Sequence, residues 1–321
     1  MNLNQLKYVL AVTREKNFSR AAKLCHVSQP SLSVAVKKLE EELGLTLFER
    51  YKNEIKVTPQ GEPILVQIQK ALEEIDGIHH IANGRADPLT GRLRMGALLT
   101  IGPYLFPEMI PVLRTLAPRM KVLVEENFTS VLTDRLKRGE LDVIIIALPF
   151  QEHGVDLMPV YDEPFMAAVP AGHRWRYRTN LTGNELADDE LILLGKGNCF
   201  RDQVLEICPD CMQLEDTASG PGNIIEGSSL ETIRHMVATG VGITVLPITS
   251  VNTLLCTSTS CPAKEHSLIH YVPFSEPAPS RRIAVAWRSS FPHGEVVDVL
   301  IQAMRTNPPN GVSLVEQPHT P

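Results

Sequence analysis

The sequence predicts an α/β protein that begins with a winged helix-turn-helix, continues through a long linker helix and ends in a larger region of strands and helices. Apolar residues follow helical spacing as far as residue 43, and two short strand-like segments come after them. A stripe of apolar residues then steps by three and four along about 25 residues. Beyond that stripe strands and helices alternate, which is typical of a sheet covered by helices.

Composition limits the protein to a few classes. The chain has 321 residues, of which 43% are apolar and 21% charged, as in ordinary globular proteins of two or three domains. No apolar run reaches the roughly 18–20 residues that span a bilayer, and the start MNLNQLKYVL lacks the features of a secretory signal. We therefore expect a cytoplasmic protein that does not bind a membrane.

Charge is distributed unevenly along the chain. Residues 1–60 hold ten Lys and Arg against six Asp and Glu, whereas the remainder holds 21 against 31. A basic N-terminal segment on an acidic body favours a polyanionic partner for that segment, although the excess is modest.

Residues 1–58 are expected to form the first domain. Asn17 or Ser19 can cap its second helix, and Pro30 is tolerated in the first turn of its third. Three helices followed by a two-stranded wing form a winged helix-turn-helix. The periodicity places these helices and strands at 2–13, 20–25, 29–43, 47–50 and 55–57.

Residues 59–87 are expected to form a linker helix, which Thr58 can cap. A long apolar stripe without a globular neighbour in sequence usually packs on a partner helix, so this segment predicts dimerisation. The breaker-rich stretch 83–88 ends the helix. The stripe consists of Ile64, Leu65, Ile68, Leu72, Ile75, Ile78 and Ile81.

Residues 88–305 are expected to form the largest domain, whose β-α-β-α-β start predicts a mostly parallel sheet with helices on both faces. Residues 306–321 contain four prolines and little periodicity, which predicts a disordered tail. The strands and helices of the domain are expected near 93–97, 103–117, 121–125, 129–138, 143–147, 164–169, 191–194, 200–207, 228–239, 242–246, 281–287 and 293–305.

The third helix is the candidate for reading double-stranded DNA. Recognition helices present their N-terminal residues to base edges, and Gln suits adenine whereas Lys and Arg suit guanine or phosphate. A small helical bundle that binds protein is the alternative interpretation. The candidate DNA-binding residues are Gln29, Pro30, Ser31, Ser33 and Lys37 on the helix, with Arg50, Lys52 and Lys56 on the wing.

Cys199 lies at the expected start of a helix, where a thiolate is stabilised, and Arg201 adds positive charge while Asp202 opposes it. A thiolate attacks peroxide oxygen and gives a sulfenic acid, which a second thiol can capture as a disulfide. If 199–208 is helical, the Cα atoms of Cys199 and Cys208 lie about 13 Å apart, whereas a disulfide needs about 7 Å or less. Bond formation therefore requires the segment to reorganise; two inert buried cysteines are the alternative.

Five sequence blocks closely resemble the LysR-type transcription regulators. This resemblance implies a DNA-binding winged helix-turn-helix, a dimerising linker helix and a two-lobed, periplasmic-binding-protein-like regulatory domain. It also implies homotetramers on DNA, held together through the linker helix and the regulatory domain. The blocks are Phe18-Ser19-Arg20-Ala21-Ala22, Ser28-Gln29-Pro30-Ser31-Leu32-Ser33, Leu39-Glu40-Glu41-Glu42-Leu43-Gly44, Leu47-Phe48-Glu49-Arg50 and Thr58-Pro59-Gln60-Gly61.

The stretch Gly197-Asn198-Cys199-Phe200-Arg201-Asp202-Gln203, with Cys208 further on, is similar to the sensor of the OxyR branch of this family. The similarity implies hydrogen peroxide as the signal, Cys199 as the peroxidatic cysteine and Cys208 as the resolving cysteine. Many relatives carry His where this chain has Asn198, which cannot take up a proton. The polar residues that the similarity places near the peroxide are Thr100, Thr129, Arg201 and Asp202.

Other assignments stay open. Cys211 is an extra thiol that can compete with Cys208, and Cys208-Pro209-Asp210-Cys211 has the C-x-x-C spacing of zinc or thioredoxin-like sites. A zinc site needs further ligands, and Cys256, Cys261 and His266 lack a supporting signature, so we expect no metal and no cofactor. A regulator gated by a small molecule in the cleft between the lobes, with incidental cysteines, is the main alternative. An enzyme that consumes peroxide and a solute-binding protein are disfavoured by the N-terminal domain, so we expect a regulator rather than an enzyme.

Overall fold

The computed structural model describes residues 1–50, 55–82, 89–211, 225–251 and 268–316. The N-terminal head contains three helices and a two-stranded antiparallel wing, in the predicted order. Their apolar faces meet in one core, which includes Val9, Leu32 and Leu39. The elements are α1 (Leu3–Glu15), α2 (Phe18–Leu24), α3 (Gln29–Leu43), β1 (Phe48–Arg50) and β2 (Ile55–Val57).

The helix boundaries of the head follow from their capping residues. Of the two candidates for α2, it is Asn17 whose side chain accepts from the backbone N–H groups of Ser19 and Arg20. The Ser28 hydroxyl accepts from the Ser31 N–H at the start of α3. That helix ends at Gly44, whose φ of 70° is in the left-handed region that glycine adopts without strain.

The linker helix α4 (Gly61–Ala82) begins after Thr58, whose side chain accepts from the Gly61 N–H at 2.9 Å. The first half of the apolar stripe packs within this chain rather than against a partner helix. Leu65, Ile68 and Leu72 are buried in the core of the chain's own head, so this part of the helix extends the head. Ile78, further along, is 63% exposed.

The remaining chain forms two lobes around one large sheet. In the part of the sheet formed by β4, β3 and β5, the strands are parallel as predicted, but β6 pairs antiparallel with β9, β10, β11 and β12. The expectation of a mostly parallel sheet is therefore wrong for this half, because one long strand, β6, receives returning segments of the chain as neighbours. The strands are β3 (Gly91–Leu98), β4 (Met120–Asn127), β5 (Val143–Ala147), β6 (Val155–Pro170), β7 (Ile192–Leu194), β8 (Ile225–Gly227), β9 (Thr244–Pro247), β10 (Ile269–Pro273), β11 (Ser280–Arg288) and β12 (Ser313–Leu314).

Each lobe has its own apolar core. The first lobe packs helices on the β3–β5 side of the sheet, and the second packs them around β7, β9 and β10. The strand β6 contributes to both cores, with Val160 in the first and Val169 in the second. The helices are α5 (Gly102–Leu116), α6 (Thr129–Lys137), α7 (Cys199–Ile207), α8 (Leu230–Ala238), α9 (Ile248–Val251), α10 (Gly294–Thr306) and a 3₁₀ helix at Gly183–Asp188.

The C-terminal segment differs from the predicted disordered tail over its described part. Ser313 pairs with Asp162 and Leu314 with Tyr161, so β12 adds a short strand to β6. Pro309 is buried and Val312 packs against the core of the first lobe. The partner strand that orders this segment lies about 150 residues earlier in the sequence, beyond the reach of local periodicity.

None of the helices in the described ranges combines the length and apolar character needed to cross a membrane.

Candidate functional site

The segment around Cys199 is a tight turn that leads into a short helix. After β7, Gly197 adopts a φ of 91°, which a side chain would strain, and α7 begins at Cys199 as the sequence predicts. Asn198 occupies the N-cap position, but its side chain makes no capping bond and instead donates from Nδ2 to the Gly195 carbonyl at 3.1 Å. This arrangement leaves Cys199 half-buried at the mouth of the first lobe.

Four of the predicted site residues line one small cavity: Thr100, Thr129, Asn198 and Cys199. The cavity volume is about 10 Å³, which is room for the centre of a single water-sized molecule. Thr129 and Cys199 are the first residues of α6 and α7. Two helices therefore begin at this cavity, and their first-turn N–H groups favour negative charge there.

Arg281, which was not among the predicted site residues, supports the site through Thr100. Its guanidinium is fully buried, donates from Nη1 to the Thr100 hydroxyl and from Nη2 to the Thr100 carbonyl, both at 2.8 Å, and pairs through Nε with Glu163 at 2.6 Å. Because the Thr100 oxygen accepts from Arg281, its own O–H proton is free to be donated into the cavity. A two-residue alternation from Ile283 and Val285 places Arg281 on the inward face of β11, and this was the available signal.

Neutral polar and aromatic groups border this ion pair, and the backbone N–H and hydroxyl of Thr249 both donate to Glu163. The Arg281 guanidinium lies 5.1 Å from the ring centroid of Phe200, the second residue of α7. Burial raises the pKa of Tyr161 well above its ordinary value, and the nearby Glu163 carboxylate raises it further, so this phenol stays neutral.

Arg201 and Asp202 are placed differently from the other predicted site residues. Arg201 is buried, donates from Nη1 to the Leu194 carbonyl at 2.5 Å and pairs through Nη2 with Glu226 at 3.1 Å. Its pairing with Glu226 links α7 to β8, whereas Asp202 is exposed on the first turn of α7. Neither residue is among those that line the cavity.

The far end of α7 holds the other two cysteines of the segment. Cys208 and Cys211 form a disulfide with a Cα–Cα distance of 5.3 Å, and both are buried in the core of the second lobe. The Cys211 N–H also donates to the Cys208 sulfur at 3.2 Å. This pairing differs from the Cys199–Cys208 bond that the resemblance implied. The reason is local: Cys211 is one helical turn from Cys208, whereas an intact α7 holds Cys199 about 13 Å away.

The DNA-binding candidates form one exposed surface at the start of α3. Gln29, Pro30, Ser31 and Lys37 are exposed and Ser33 is partly so. Lys37 lies 3.6 Å from Glu41, one turn further along the helix.

Val34 belongs to the same surface and was missed, since an apolar residue in a helix suggests core. It is 68% exposed, and its position suits contact with a thymine methyl group. On the wing, Arg50 ends β1 and Lys56 lies in β2; the Arg50 side chain and Lys52 are outside the described part of the chain.

Cys25 and Ser229 have structural roles. Cys25 is half-buried against the core of the head, and burial raises the pKa of its thiol. Ser229 caps α8 by accepting from the Thr232 N–H. Among the described residues, no three His, Cys, Asp or Glu side chains are grouped as metal ligands. Cys256, Cys261 and His266 lie outside the described residues.

Comparison with known families matches nearly the whole chain in two parts. Residues 3–62 match the bacterial regulatory helix-turn-helix protein of the lysR family. Residues 86–308 match the LysR substrate binding domain.

Individual relatives give the same result. The chain is 34% identical over 305 residues to the DNA-binding transcriptional dual regulator OxyR of Escherichia coli (strain K12), covering 95% of each protein. It resembles the structure of a full-length OxyR variant of Pseudomonas aeruginosa, with 46% identity, a TM-score of 0.83 and 99% of each chain covered. A third relative is a mutant OxyR of Corynebacterium glutamicum described as H2O2-bound, with 29% identity, a TM-score of 0.61 and coverage of 95% of this chain and 92% of that one.

Proposed function

Since this chain belongs to the LysR family of bacterial transcription regulators, and within it to the OxyR branch, we propose that it binds double-stranded DNA and is switched by hydrogen peroxide through Cys199. One observation carries this proposal: Cys199 lies beside two threonines at a cavity that admits only a water-sized molecule. Hydrogen peroxide is only one oxygen atom larger than water and, like water, both donates and accepts hydrogen bonds.

The first chemical step uses groups already in place at the cavity. The Cys199 thiolate attacks one peroxide oxygen, the O–O bond breaks, and the departing hydroxide takes up a proton to become water. The product is a Cys199 sulfenic acid. Thr100 orients the peroxide by donating its hydroxyl proton, since Arg281 already fills one of its acceptor positions.

The second step couples disulfide formation to a conformational change. The Cys208 thiolate attacks the sulfenic sulfur, a disulfide forms and hydroxide leaves, which requires Cys208 to be released first from Cys211. Since α7 separates the two sulfurs, the helix has to unwind. Unwinding removes Phe200 from the Arg281 ion pair and Arg201 from Glu226, which changes the contacts between the lobes.

DNA binding rests on the exposed start of α3. Gln29, Ser31 and Ser33 contact base edges in the major groove, while Lys37 and the basic wing residues Arg50 and Lys56 contact phosphates. We place this activity in the cytoplasm, where a reducing pool returns Cys199 to its thiol form. The protein acts as a regulator, and its consumption of peroxide is incidental.

A homotetramer, built as a dimer of dimers, fits the exposed apolar surface of the first lobe. The strand β4 is an edge of the large sheet and, together with the adjoining start of α6, exposes several apolar side chains that a contact between subunits would cover. The exposed Ile78 on α4 supplies a second contact. The exposed residues of the β4–α6 surface are Leu123, Val124, Phe128 and Val131.

A small-molecule effector has less support. The cavity between Thr100 and Thr129 is too small for one, and such a ligand would need the open groove of about 640 Å³ beside Gln203 and Ile207. That groove touches α7, but Thr100, Thr129 and Cys199 are not among the residues that line it.

The proposal is tested by mapping thiols after a short exposure of fully reduced protein to stoichiometric hydrogen peroxide, followed by alkylation. Trypsin cuts after Lys196, Arg201 and Arg234, so Cys199 is released in peptide 197–201 and Cys208 with Cys211 in peptide 202–234. A Cys199–Cys208 bond joins the two peptides, and a second digestion before Asp210 shows which sulfur of the longer peptide is joined.

We expect rapid oxidation of Cys199 and its linkage to Cys208, both lost in Cys199→Ser and both unchanged in Cys25→Ser, the matched control at the other free thiol of the described residues. Footprints of the reduced and oxidised protein on one DNA site should differ. A Cys199 that stays a free thiol overturns the proposal and directs attention to ligands of the groove at Gln203.

A further inference from the structure

Two features of the segment coexist in the structure. The helix α7 is intact from Cys199 to Ile207, and Cys208 is already bonded to Cys211. Cys199 is a free thiol in the same molecule. The segment therefore has an oxidised form in which nothing has unwound and the sensing cysteine is available.

We propose that Cys211 completes a three-cysteine relay: it takes Cys208 from the Cys199–Cys208 disulfide, frees Cys199 and allows α7 to refold. This inference rests on the proposed peroxide switch and assigns a further residue to it. Cys211 thereby ends the signal from within the protein, before any external thiol reduces the chain.

The relay balances as a thiol–disulfide exchange. The Cys211 thiolate attacks the Cys208 sulfur, the Cys208–Cys211 bond forms, and the Cys199–Cys208 bond breaks with Cys199 leaving as a thiolate that takes up the proton given by Cys211. Together with the earlier steps, one hydrogen peroxide oxidises Cys208 and Cys211 to a disulfide and yields two waters. Cys199 is regenerated as a thiol.

Position favours Cys211 as the attacking group. It follows Cys208 by three residues, and its backbone N–H reaches the Cys208 sulfur at 3.2 Å. Both cysteines belong to the core of the second lobe, whereas Cys199 packs against the core of the first. Any structure of the second lobe that keeps the turn at 208–211 therefore keeps Cys211 within reach of Cys208.

Differences in packing set the direction of the disulfide exchange. A Cys199–Cys208 bond is incompatible with a helical α7, so it withdraws Phe200, Val204 and Leu205 from their buried positions. A Cys208–Cys211 bond leaves all three buried, together with the Arg201–Glu226 ion pair. The exchange breaks one disulfide and makes one, so the difference in burial drives it toward Cys208–Cys211.

The relay is tested by a quenched time course on the full-length reduced protein, with hydrogen peroxide as the probe and the same alkylation and two-protease mapping. In the unaltered protein we expect the joined peptides to appear and then decline, while peptide 202–234 becomes lighter by two hydrogens and Cys199 becomes alkylatable again. In Cys211→Ser the Cys199–Cys208 link should persist about tenfold longer or more, because the thiol three residues from Cys208 is no longer there to attack it. Cys211→Ala provides the same test without a buried hydroxyl, and Cys25→Ser is the control for losing a thiol elsewhere.

Two results would overturn the relay while leaving the switch intact. One is an equal lifetime of the Cys199–Cys208 link with and without Cys211. The other is formation of the Cys208–Cys211 bond at an unchanged rate in Cys199→Ser, which would make it a direct oxidation. A failure of the switch itself is recognised separately, because no species containing oxidised Cys199 would then appear in any variant, and the relay would fall with it.

Discussion

The helices α3 and α7 both carry candidate functional residues in their first turn, but they differ in how their ends are stabilised. The longer one, α3 (Gln29–Leu43), has Ser28 as a side-chain cap and ends at a left-handed Gly44. The shorter one, α7 (Cys199–Ile207), has no side-chain cap at Asn198 and is bounded by cysteines.

The difference follows from what each helix has to do. The residues of α3 that we propose to contact DNA work only while their helix holds them in a fixed array. The sensing role proposed for α7 works only if the helix can unwind. A nine-residue helix is unstable in isolation, so the packing of Phe200, Val204 and Leu205 maintains α7 and sets how easily it opens.

The largest expected effect comes from removing the anchor of α7. Phe200 is buried, packs edge-on against Phe165 at 5.1 Å and lies beneath Arg281, so Phe200→Ala should lower the free energy of unfolding by about 3–5 kcal/mol. It should also accelerate the Cys199–Cys208 bond by about tenfold or more once Cys199 is oxidised, since about 1.4 kcal/mol less opening cost is tenfold in rate. Urea unfolding and quenched alkylation measure the two quantities.

The matched control is Leu32→Ala, which removes a fully buried side chain from α3. Its loss of stability should be similar, about 2–5 kcal/mol, yet it should weaken DNA binding and leave the disulfide rate unchanged. If both variants change the disulfide rate equally, general destabilisation explains the effect and the comparison of the two helices fails.

A smaller effect is expected at the caps. Ser28→Ala removes a cap whose hydroxyl accepts from the Ser31 N–H, so it should cost about 1 kcal/mol of stability and lower DNA affinity by fraying the start of α3. Asn198→Ala removes no cap bond from α7, only the donation to Gly195, and should leave the helical content of α7 unchanged. Thermal unfolding, hydrogen exchange and titration with a DNA site measure these outcomes; equal fraying of both helices would contradict them.

The smallest change in stability is expected for Lys37→Gln. The exposed pair with Glu41 contributes about 0.3–0.5 kcal/mol at most, so folding should be nearly unaffected. Binding to DNA should weaken uniformly across sequences, and the slope of log affinity against log salt should become shallower by about 0.9, because one phosphate is no longer neutralised by the protein. An unchanged slope would show that Lys37 does not contact a DNA phosphate. The same substitution at Lys38 is the comparison.

Most of the head could be predicted from the sequence because its determinants are local. Helix periodicity, the caps at Asn17, Ser28 and Thr58, and the stop at Gly44 all act within a few residues. Val34 escaped notice since exposure of an apolar side chain depends on what packs around the helix. The ordered segment at Ser313–Leu314 escaped for the same reason, because its partner strand is distant in sequence.

The sensor could be predicted only in part. Cys199, Asn198 and the start of α7 follow from a local pattern, and Thr100 and Thr129 followed from family resemblance. The alternation of buried and exposed residues along β11 could have placed Arg281 inside. Its role depends on contacts with Glu163 and Thr100, and the three residues come from three separate segments of the chain.

By itself, then, the sequence determined the order of the domains, the helical head and the position of Cys199 at the start of a helix, because periodicity, capping and short motifs are encoded within single turns. Tertiary structure decided the size of the cavity at Cys199, the Arg281–Glu163 pair beside Thr100 and the antiparallel half of the sheet. It also decided that Cys208 lies bonded to Cys211 in the second lobe while Cys199 faces the first. Each of these depends on which distant segments share a core, and burial of apolar surface settles that only when the whole chain has folded.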